Sequence, residues 1–164
     1  MSQLNKNDGD HYPVHSFTTA RRTLTETDIV NFVNLVGLHE PIFVDMEYIH
    51  THMPESHRKR FAPAPLVISI GMGLVAPIVE GVLNRVLKNQ NVGFVAGMAG
   101  LEANVSCPAF PGDTLKVDGE AKIKKKTSSG YTLVEIRHLV RNQHGETVVD
   151  FSETIIYLPP GNIS

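Results

Sequence analysis

The sequence predicts an α+β fold in which an antiparallel sheet wraps around one long buried helix. Residues 61–79 contain no charged side chain, and a helix that is apolar on every side is typical of a protein core. After residue 92 the chain alternates apolar with polar residues, and Pro-Gly, Ser-Gly and His-Gly turns divide it into segments of strand length. One long helix followed by a run of strands indicates the α+β arrangement.

Length, charge and cysteine content limit the classes of protein that fit the chain. The 164 residues are 41% apolar and 20% charged, which suits one compact domain with a substantial core. The formal net charge of −2 lacks the basic excess that a nucleic-acid partner requires, so we expect none. Cys107 is the only cysteine and the chain opens without an apolar leader, which favours a cytoplasmic location. We predict that Cys107 packs as a small hydrophobe and is not a nucleophile.

The apolar segment 61–79 is long enough to span a bilayer by hydropathy. Three prolines and two glycines interrupt it, Glu80 follows directly, and the sequence holds no second span. We therefore expect a buried core helix and no membrane partner. Pro63 and Pro65 stand where the helix is predicted to begin, since the amide hydrogens that they lack would be unpaired there. Pro77 is predicted to kink this helix.

The region before the central helix is predicted to contain a tail, a short helix and a flap. Residues 1–14 are polar and predicted to form a disordered or extended tail, which leaves 15–164 as a single domain. The capping-box pattern at 25–28 begins an amphipathic helix that Gly37 ends. Residues 38–60 are rich in His, Pro and charge, which favours a long, irregular functional flap.

Strands are predicted near the N-terminus and throughout the second half of the chain. They cover 16–22, then 92–105 as one or two glycine-broken strands, then 114–123, 131–141 and 146–158. Leu115, Val117 and Ile123 are expected to face inward. Gly145 gives the last hairpin a residue that tolerates positive φ. His138 is expected to pack against the sheet or to form a hydrogen bond there.

Four segments occur in the order found in one known family. They read V-G-L-H-E-P-I-F-V-D at 36–45, R-F-A-P-A-P-L at 60–66, C-P-A-F-P-G-D-T-L at 107–115 and R-N-Q-H-G-E at 141–146. In turn, they resemble the active-site loop, the start of the central helix, a turn and a hairpin of the MaoC-like dehydratases, which include the (R)-specific enoyl-CoA hydratases. The resemblance covers roughly residues 18–158 and implies a hotdog fold. It also implies a homodimer or a higher homo-oligomer, since this fold usually buries part of its pocket between subunits.

The resemblance implies a chemistry and also shows where this chain departs from it. The family adds water across the double bond of an enoyl-CoA, which needs a base, an acid and hydrogen-bond donors for the thioester oxygen. Its Asp and His align with Leu38 and Phe43, neither of which can carry a proton. Its backbone donor at the start of the central helix aligns with Ala64. A family serine in that helix aligns with Met72 or, with an offset of a few residues, with Ser69.

Glu40 and His39 are the residues that could replace the lost pair. Glu40 stands where the family has Asn, and a carboxylate in an apolar pocket would be suited to acid–base chemistry. The alternative is that Glu40 faces solvent or pairs with one of Arg58, Lys59 and Arg60. Those three cations could contact the phosphates of coenzyme A, or they could simply be solvated.

Two further groups of residues are predicted to have no ligand. His50, His52 and His57 have a spacing that zinc can use, but no Cys or carboxylate pattern completes a tetrahedral set, so we predict no metal site. The lysine run at 122–126 is predicted to protect a sheet edge from aggregation.

The leading hypothesis is therefore an acyl-CoA hydratase or dehydratase of MaoC type with an altered or lost catalytic pair. Its substrate would be an acyl-CoA thioester, so coenzyme A would enter as part of the substrate and no separate cofactor is expected. One alternative is other thioester chemistry on the same scaffold, such as hydrolysis with Glu40 as the base. Another alternative is a non-catalytic subunit that binds acyl-CoA and supports an active partner.

Overall fold

The computed structural model describes residues 12–161, in which an antiparallel sheet packs one face against helices. The elements in chain order are β1 (His15–Thr18), β2 (Arg22–Thr23), α1 (Glu26–Val36), α2 (Pro41–Val44), α3 (Met46–His52), a 3-10 turn (Glu55–His57), α4 (Ala64–Val75), α5 (Val79–Val86), β3 (Val95–Val105), β4 (Thr114–Lys126), β5 (Thr132–Arg141) and β6 (Thr147–Tyr157). This confirms the predicted α+β class. Most of the predicted tail lies outside the described residues.

The sheet has the strand order β1-β4-β5-β6-β3, and each neighbouring pair is antiparallel. The predicted first strand is shorter than expected, because β1 ends at Thr18 and β2 forms a separate pairing with the start of β4. Leu115, Val117 and Ile123 are buried, as predicted. The last hairpin turns through Gly145 at a φ of 81°, which is also as predicted.

Helix α1 begins and ends where the sequence predicts. The amide of Asp28 donates to Oγ1 of Thr25 at 3.2 Å, and the amide of Thr25 donates to Oδ2 of Asp28 at 2.9 Å, which completes the capping box. Burial acts to raise the pKa of the Asp28 carboxyl, but hydrogen bonds from Thr25 and the nearby Arg22 outweigh it and hold that pKa below its usual value. Gly37 ends the helix in the left-handed conformation.

The segment 38–60 is more regular than predicted, and the prediction of an irregular flap is wrong there. Pro41 occupies the first position of α2, which suits its fixed φ. Asp45 caps α3, since its carboxylate accepts a hydrogen bond from the amide of Tyr48 at 3.0 Å. Two short helices and the 3-10 turn therefore fill most of this segment.

The central helix is divided at the predicted proline. Helix α4 begins at Ala64, and α4 and α5 are bent relative to each other by 73° across the residues around Pro77. No single helix among residues 12–161 is long and apolar enough to cross a membrane; only the bent pair meets that requirement by length and composition. Gly71 lets α4 approach the sheet, because a Cβ there would lie 3.0 Å from both Phe151 and Val140.

Strand β3 lies at one edge of the sheet, opposite the edge formed by β1 and β2. Its register with β6 shifts near Gly97 and Gly100, so the glycine-broken strand that the sequence predicts is one bulged strand. Almost all of its residues are exposed. Large apolar side chains on β3 and just before it are 45–61% exposed, namely Phe94, Val95, Met98, Leu101 and Val105.

Candidate functional site

A cavity of about 300 Å³ lies where the start of α4 meets the end of β3 and the segment that follows it. Most of its lining is apolar, and the polar side chains in the lining belong to His57, Ser106 and Cys107. The full lining comprises His57, Phe61, Ala62, Ala64, Val67, Val105, Ser106, Cys107, Pro108, Ala109, Val148 and Val149. A concave, mainly apolar site with a few polar groups is typical of a small-molecule pocket.

Backbone hydrogen bonds hold the walls of this cavity together. The amide of Ala62 donates to the carbonyl of Ala109 at 2.8 Å, which ties the residues before α4 to the opposite wall. The amide of Ser106 donates to the carbonyl of Val148 at 2.9 Å, so the chain beyond β3 stays paired with β6. Ala64 lies between these walls as the first residue of α4.

The N-terminus of α4 gives the cavity a donor of hydrogen bonds. The first amides of any α-helix lack partners inside the helix, and the helix dipole adds partial positive charge there. In α4 no side chain caps the helix start, Pro65 has no amide hydrogen, and the amides of Leu66 and Val67 donate to the carbonyl of Pro63. Within residues 12–161, the amide of Ala64 is therefore the first-turn donor left to face a ligand. The position of Ala64 in the lining agrees with the place that sequence analysis gave it, and its role as an oxyanion donor stays a prediction.

Leu38 and Phe43, which sequence analysis aligned with the family's catalytic pair, do not line this cavity. Phe43 is only 8% exposed, and its ring meets the ring of Phe61 edge-on with centroids 5.5 Å apart. Phe61 in turn lines the cavity. Leu38 is half-buried and packs against the same core. Both residues therefore contribute apolar packing behind the cavity wall.

Glu40 and His39 are exposed, and neither lines the cavity. Glu40 occupies the N-cap position of α2, but its carboxylate makes no capping hydrogen bond. Of the cations proposed as its partners, Arg60 instead pairs with Glu26 at 2.9 Å. The conformation therefore agrees with the solvent-facing alternative, while the catalytic role of Glu40 and His39 stays a prediction.

The remaining residues predicted to bind substrate lie farther along α4. The hydroxyl of Ser69 donates to the carbonyl of Pro65 at 2.8 Å, and Ser69 lines a separate surface depression with Arg22. Met72 is partly buried against the core. Neither Ser69 nor Met72 lines the cavity at the helix start.

The three cations before α4 differ in their surroundings. Arg60 is mostly buried and pairs with Glu26, whereas Nε of Arg58 donates to the carbonyl of Met53 at 3.4 Å. Lys59 is exposed. The three residues follow His57 directly in sequence, so they lie beside one end of the cavity lining. Their contact with coenzyme A phosphates stays a prediction.

The lysine run at the end of β4 makes contacts within the protein. Lys124 pairs with Glu135 at 2.8 Å, and Lys122 pairs with the same carboxylate at 3.3 Å. The hydrogen bond from Lys124 is the main cause that lowers the pKa of Glu135, against the opposing effect of burial. Lys126 donates to Gln90 at 2.6 Å. These contacts favour the structural interpretation of the run.

Cys107 is half-buried in the cavity wall, and its Sγ donates to the carbonyl of Thr147 at 3.4 Å. Burial raises the pKa of its thiol, and the carboxylates of Glu146 and Asp113 raise it further. A thiol of this kind stays protonated near neutral pH, which agrees with the predicted packing role. Sequence analysis missed that Cys107 lines a pocket.

Sequence analysis considered His57 only as a metal ligand and did not predict it in this site. Its Nδ1 lies 2.8 Å from Oγ of Ser56, and its ring lies edge-on to Phe110 with centroids 6.5 Å apart. The available signal was its place immediately before the cationic run and the helix start. Among residues 12–161, no group of three or more His, Cys, Asp and Glu side chains is arranged to hold a metal ion.

His138 lies fully buried under the helices, away from the cavity. Its ring stacks on Phe151 with centroids 4.2 Å apart, and its Nε2 lies 3.1 Å from Oε1 of Glu153. The prediction that His138 packs in or hydrogen-bonds at the sheet is confirmed.

Solved structures with the same fold extend over most of the chain. A monoamine oxidase regulatory protein from Archaeoglobus fulgidus is 27% identical with a TM-score of 0.69, covering 89% of this chain and 90% of its own. A MaoC-like dehydratase from Rhodospirillum rubrum is 20% identical with a TM-score of 0.63, covering 88% of this chain and 91% of its own. An (R)-hydratase from Pseudomonas aeruginosa is 23% identical with a TM-score of 0.53, covering 93% of this chain and 84% of its own.

These likenesses confirm the predicted hotdog fold. Residues 12–151 match the family model of the FAS1-like dehydratase domain region. The chain therefore belongs to this dehydratase family. No curated protein matches the sequence.

Proposed function

We propose that the cavity at the start of α4 binds the acyl part of an acyl-CoA thioester and that the protein acts on it as a hydratase or dehydratase. The observation that carries this proposal is the position of Ala64, the first residue of a buried helix, in the lining of a mainly apolar cavity. Apolar walls suit an acyl chain, and the helix N-terminus suits a thioester oxygen that gains negative charge.

The reaction divides between a part that the backbone performs and a part that needs a side chain. In hydration, the oxygen of water bonds to C3 of the enoyl thioester, the electrons of the double bond move toward C2, and negative charge builds on the thioester oxygen. The amide of Ala64 is fixed at the start of α4 and would stabilise that charge without reorganising. Proton transfer from water and to C2 needs an acid–base side chain, for which sequence analysis proposed Glu40 with His39.

The coenzyme A portion would leave the cavity toward Arg58, Lys59 and Arg60, where its phosphates would meet positive charge. These residues follow His57, which lines the cavity, so the acyl chain and the nucleotide could be bound at the same time. Coenzyme A is part of the substrate in this proposal. A cytoplasmic location would fit such a substrate.

We further propose that a second copy of the chain pairs with the open β3 edge. Exposed large apolar side chains such as Val95, Met98 and Leu101 border that edge and would be buried by the pairing. Val105 belongs both to β3 and to the cavity lining, so a partner on β3 would also cover part of the cavity. A homodimer would therefore complete the pocket.

The non-catalytic alternative has one observation in its favour. The positions of the family's proton-transfer pair hold Leu38 and the buried Phe43, so a protein that only binds acyl-CoA would need no further change there. Turnover measurements separate the two functions. A protein that binds acyl-CoA but converts no enoyl-, hydroxyacyl- or saturated acyl-CoA would be the binding subunit, and release of free coenzyme A would indicate thioester hydrolysis.

Blocking the cavity tests the proposed site. Ser106 is exposed and lines the cavity, so Ser106→Trp should fill its mouth without disturbing the core. We expect the affinity for crotonyl-CoA, measured by calorimetry, to fall roughly tenfold or more, about 1.4 kcal/mol. Ser128→Trp, at an exposed serine of the turn after β4, is the matched control and should bind like the natural protein. Equal affinities for the two variants would place the ligand elsewhere.

A further inference from the structure

The cavity contains one side chain suited to proton transfer, and it is outside the segment where the family keeps its catalytic pair. Of the polar residues in the lining, Cys107 gives its thiol hydrogen to the carbonyl of Thr147. Burial raises the pKa of that thiol, which leaves it neutral and a poor base. The hydroxyl of Ser106 is not a base without a partner. An imidazole can both accept and donate a proton, which leaves His57 as the candidate.

The ring of His57 is held in place by its surroundings. The residue ends the 3-10 turn, and its amide donates to the carbonyl of Pro54 at 2.8 Å. Its Nδ1 lies 2.8 Å from Oγ of Ser56, and Phe110 contacts the ring edge-on. Because a serine hydroxyl can donate or accept, Ser56 can hold the imidazole in either tautomer. Within the described part of the chain, no hydrogen bond occupies Nε2 of His57.

His57 also lines the same cavity as the proposed oxyanion donor. His57 and Ala64 line the same cavity of about 300 Å³, with Phe61 between them in sequence. A thioester whose oxygen lies at the start of α4 would therefore have its double bond within the same small volume as the imidazole. Glu40 and His39 lack this relation, because they are exposed and do not line the cavity.

We propose that His57 is the catalytic acid–base residue of this cavity and replaces the family pair lost at Leu38 and Phe43. This inference rests on the proposed function. Neutral Nε2 of His57 accepts a proton from water as the water oxygen bonds to C3 of the enoyl thioester. The electron pair of the double bond moves to C2 and the thioester oxygen, which the amide of Ala64 at the start of α4 stabilises. The imidazolium then returns the proton to C2, which gives the 3-hydroxyacyl thioester and restores the neutral ring.

Substitution of His57 tests this mechanism. Glutamine keeps a hydrogen-bonding group near Ser56 but cannot shuttle a proton, so His57→Gln should lower kcat for hydration of crotonyl-CoA by roughly a hundredfold or more. Its Kd for crotonyl-CoA, measured by calorimetry, should change by less than about threefold, because the apolar walls remain. His50→Gln, at an exposed histidine of α3, removes the same chemical group outside the cavity and should keep the natural rate.

A rescue experiment separates catalysis from a structural role. In His57→Ala, added imidazole should restore part of the lost rate in proportion to its concentration, and it should not do so for the natural protein. Ser56→Ala is a second variant, which keeps the imidazole of His57 but removes its hydrogen-bond partner. We expect it to lower kcat severalfold with little change in KM. Melting temperatures close to that of the natural protein would show that each variant folds.

Several results would overturn the inference. Hydration by His57→Gln at the natural rate, or a hundredfold loss in Glu40→Gln with none in His57→Gln, would refute the role of His57 and leave the proposed function intact. Binding of crotonyl-CoA without turnover of any acyl-CoA by the natural protein would refute His57 as a catalyst and favour the binding subunit. A natural protein that does not bind acyl-CoA at all would refute the proposed function itself.

Discussion

The start of α4 and the segment 36–45 both resemble parts of a hydratase site, but the first depends on the backbone and the second on side chains. The proposed role of the start of α4 depends on the backbone amide of Ala64, which a change of side chain would leave in place. The resemblance gives the segment 36–45 a role that depends on two side chains, and sequence analysis aligned Leu38 and Phe43 with those two positions. Chemistry carried by the backbone is therefore more robust to sequence change than chemistry carried by side chains.

The two regions also differ in their present role. The segment 36–45 contributes packing, since the buried Phe43 contacts Phe61, and Phe61 lines the cavity. The start of α4 contributes an open, partly positive helix end. The first region supports the wall of the cavity, and the second would supply the electrostatic part of the proposed site.

The largest expected effect tests the packing role of the altered segment. Phe43→Ala removes a buried ring from the contact with Phe61 and should destabilise the fold by about 3–5 kcal/mol, measured by urea denaturation. Leu35→Ala, on the exposed face of α1 where Leu35 is 84% exposed, is the control and should change the free energy of unfolding by less than about 0.5 kcal/mol. A loss under about 1 kcal/mol for Phe43→Ala would mean that this segment is only loosely packed.

A smaller effect tests how α4 is seated on the sheet, because that contact positions the cavity. A Cβ at Gly71 would lie 3.0 Å from Phe151 and from Val140, so Gly71→Ala should destabilise the fold by about 1–3 kcal/mol. Gly73→Ala is matched in chemistry, lies in the same helix and meets open space, so it should stabilise by up to about 1 kcal/mol. Thermal unfolding of the two variants should shift in opposite directions. Shifts of the same sign would contradict the close approach at Gly71.

The smallest effect tests the three cations that lie in sequence between the two regions. Replacing Arg58, Lys59 and Arg60 together by Ala should weaken acyl-CoA binding by roughly tenfold at low salt and by less at high salt, because phosphate contacts between exposed charges are screened. Arg60 also pairs with Glu26, so Glu26→Ala alone measures the part of the change that comes from losing that pair. Calorimetry at two salt concentrations provides the comparison. An affinity that does not depend on the three cations at low salt would exclude them as a phosphate site.

The sequence predicted those parts of the fold that depend on local signals. The capping box at Thr25, the stop at Gly37 and the bend near Pro77 each need only a few neighbouring residues, and the structure has all three. The strands followed from alternation and turn chemistry. Helices α2 and α3 do not follow from the sequence pattern, because Pro41 and Asp45 are residue types that occur in loops and also begin helices.

The candidate site was harder to predict because it depends on contacts between distant parts of the chain. His57 and Cys107 line one cavity only because the amide of Ala62 pairs with the carbonyl of Ala109, and no local pattern reports that pairing. Family resemblance pointed to Ala64, which the structure places in the cavity lining. It also drew attention to Glu40, which the fold leaves exposed at the start of α2.

The most direct test of this account is a crystal structure of the protein with butyryl-CoA, a saturated thioester that cannot be hydrated. We expect an acyl chain between Phe61 and Val148. The thioester oxygen should lie within hydrogen-bond distance of the Ala64 amide, and the imidazole of His57 should face C2 and C3. An acyl chain bound along Ser69 on the outer side of α4, or a thioester oxygen held away from the helix start, would contradict it.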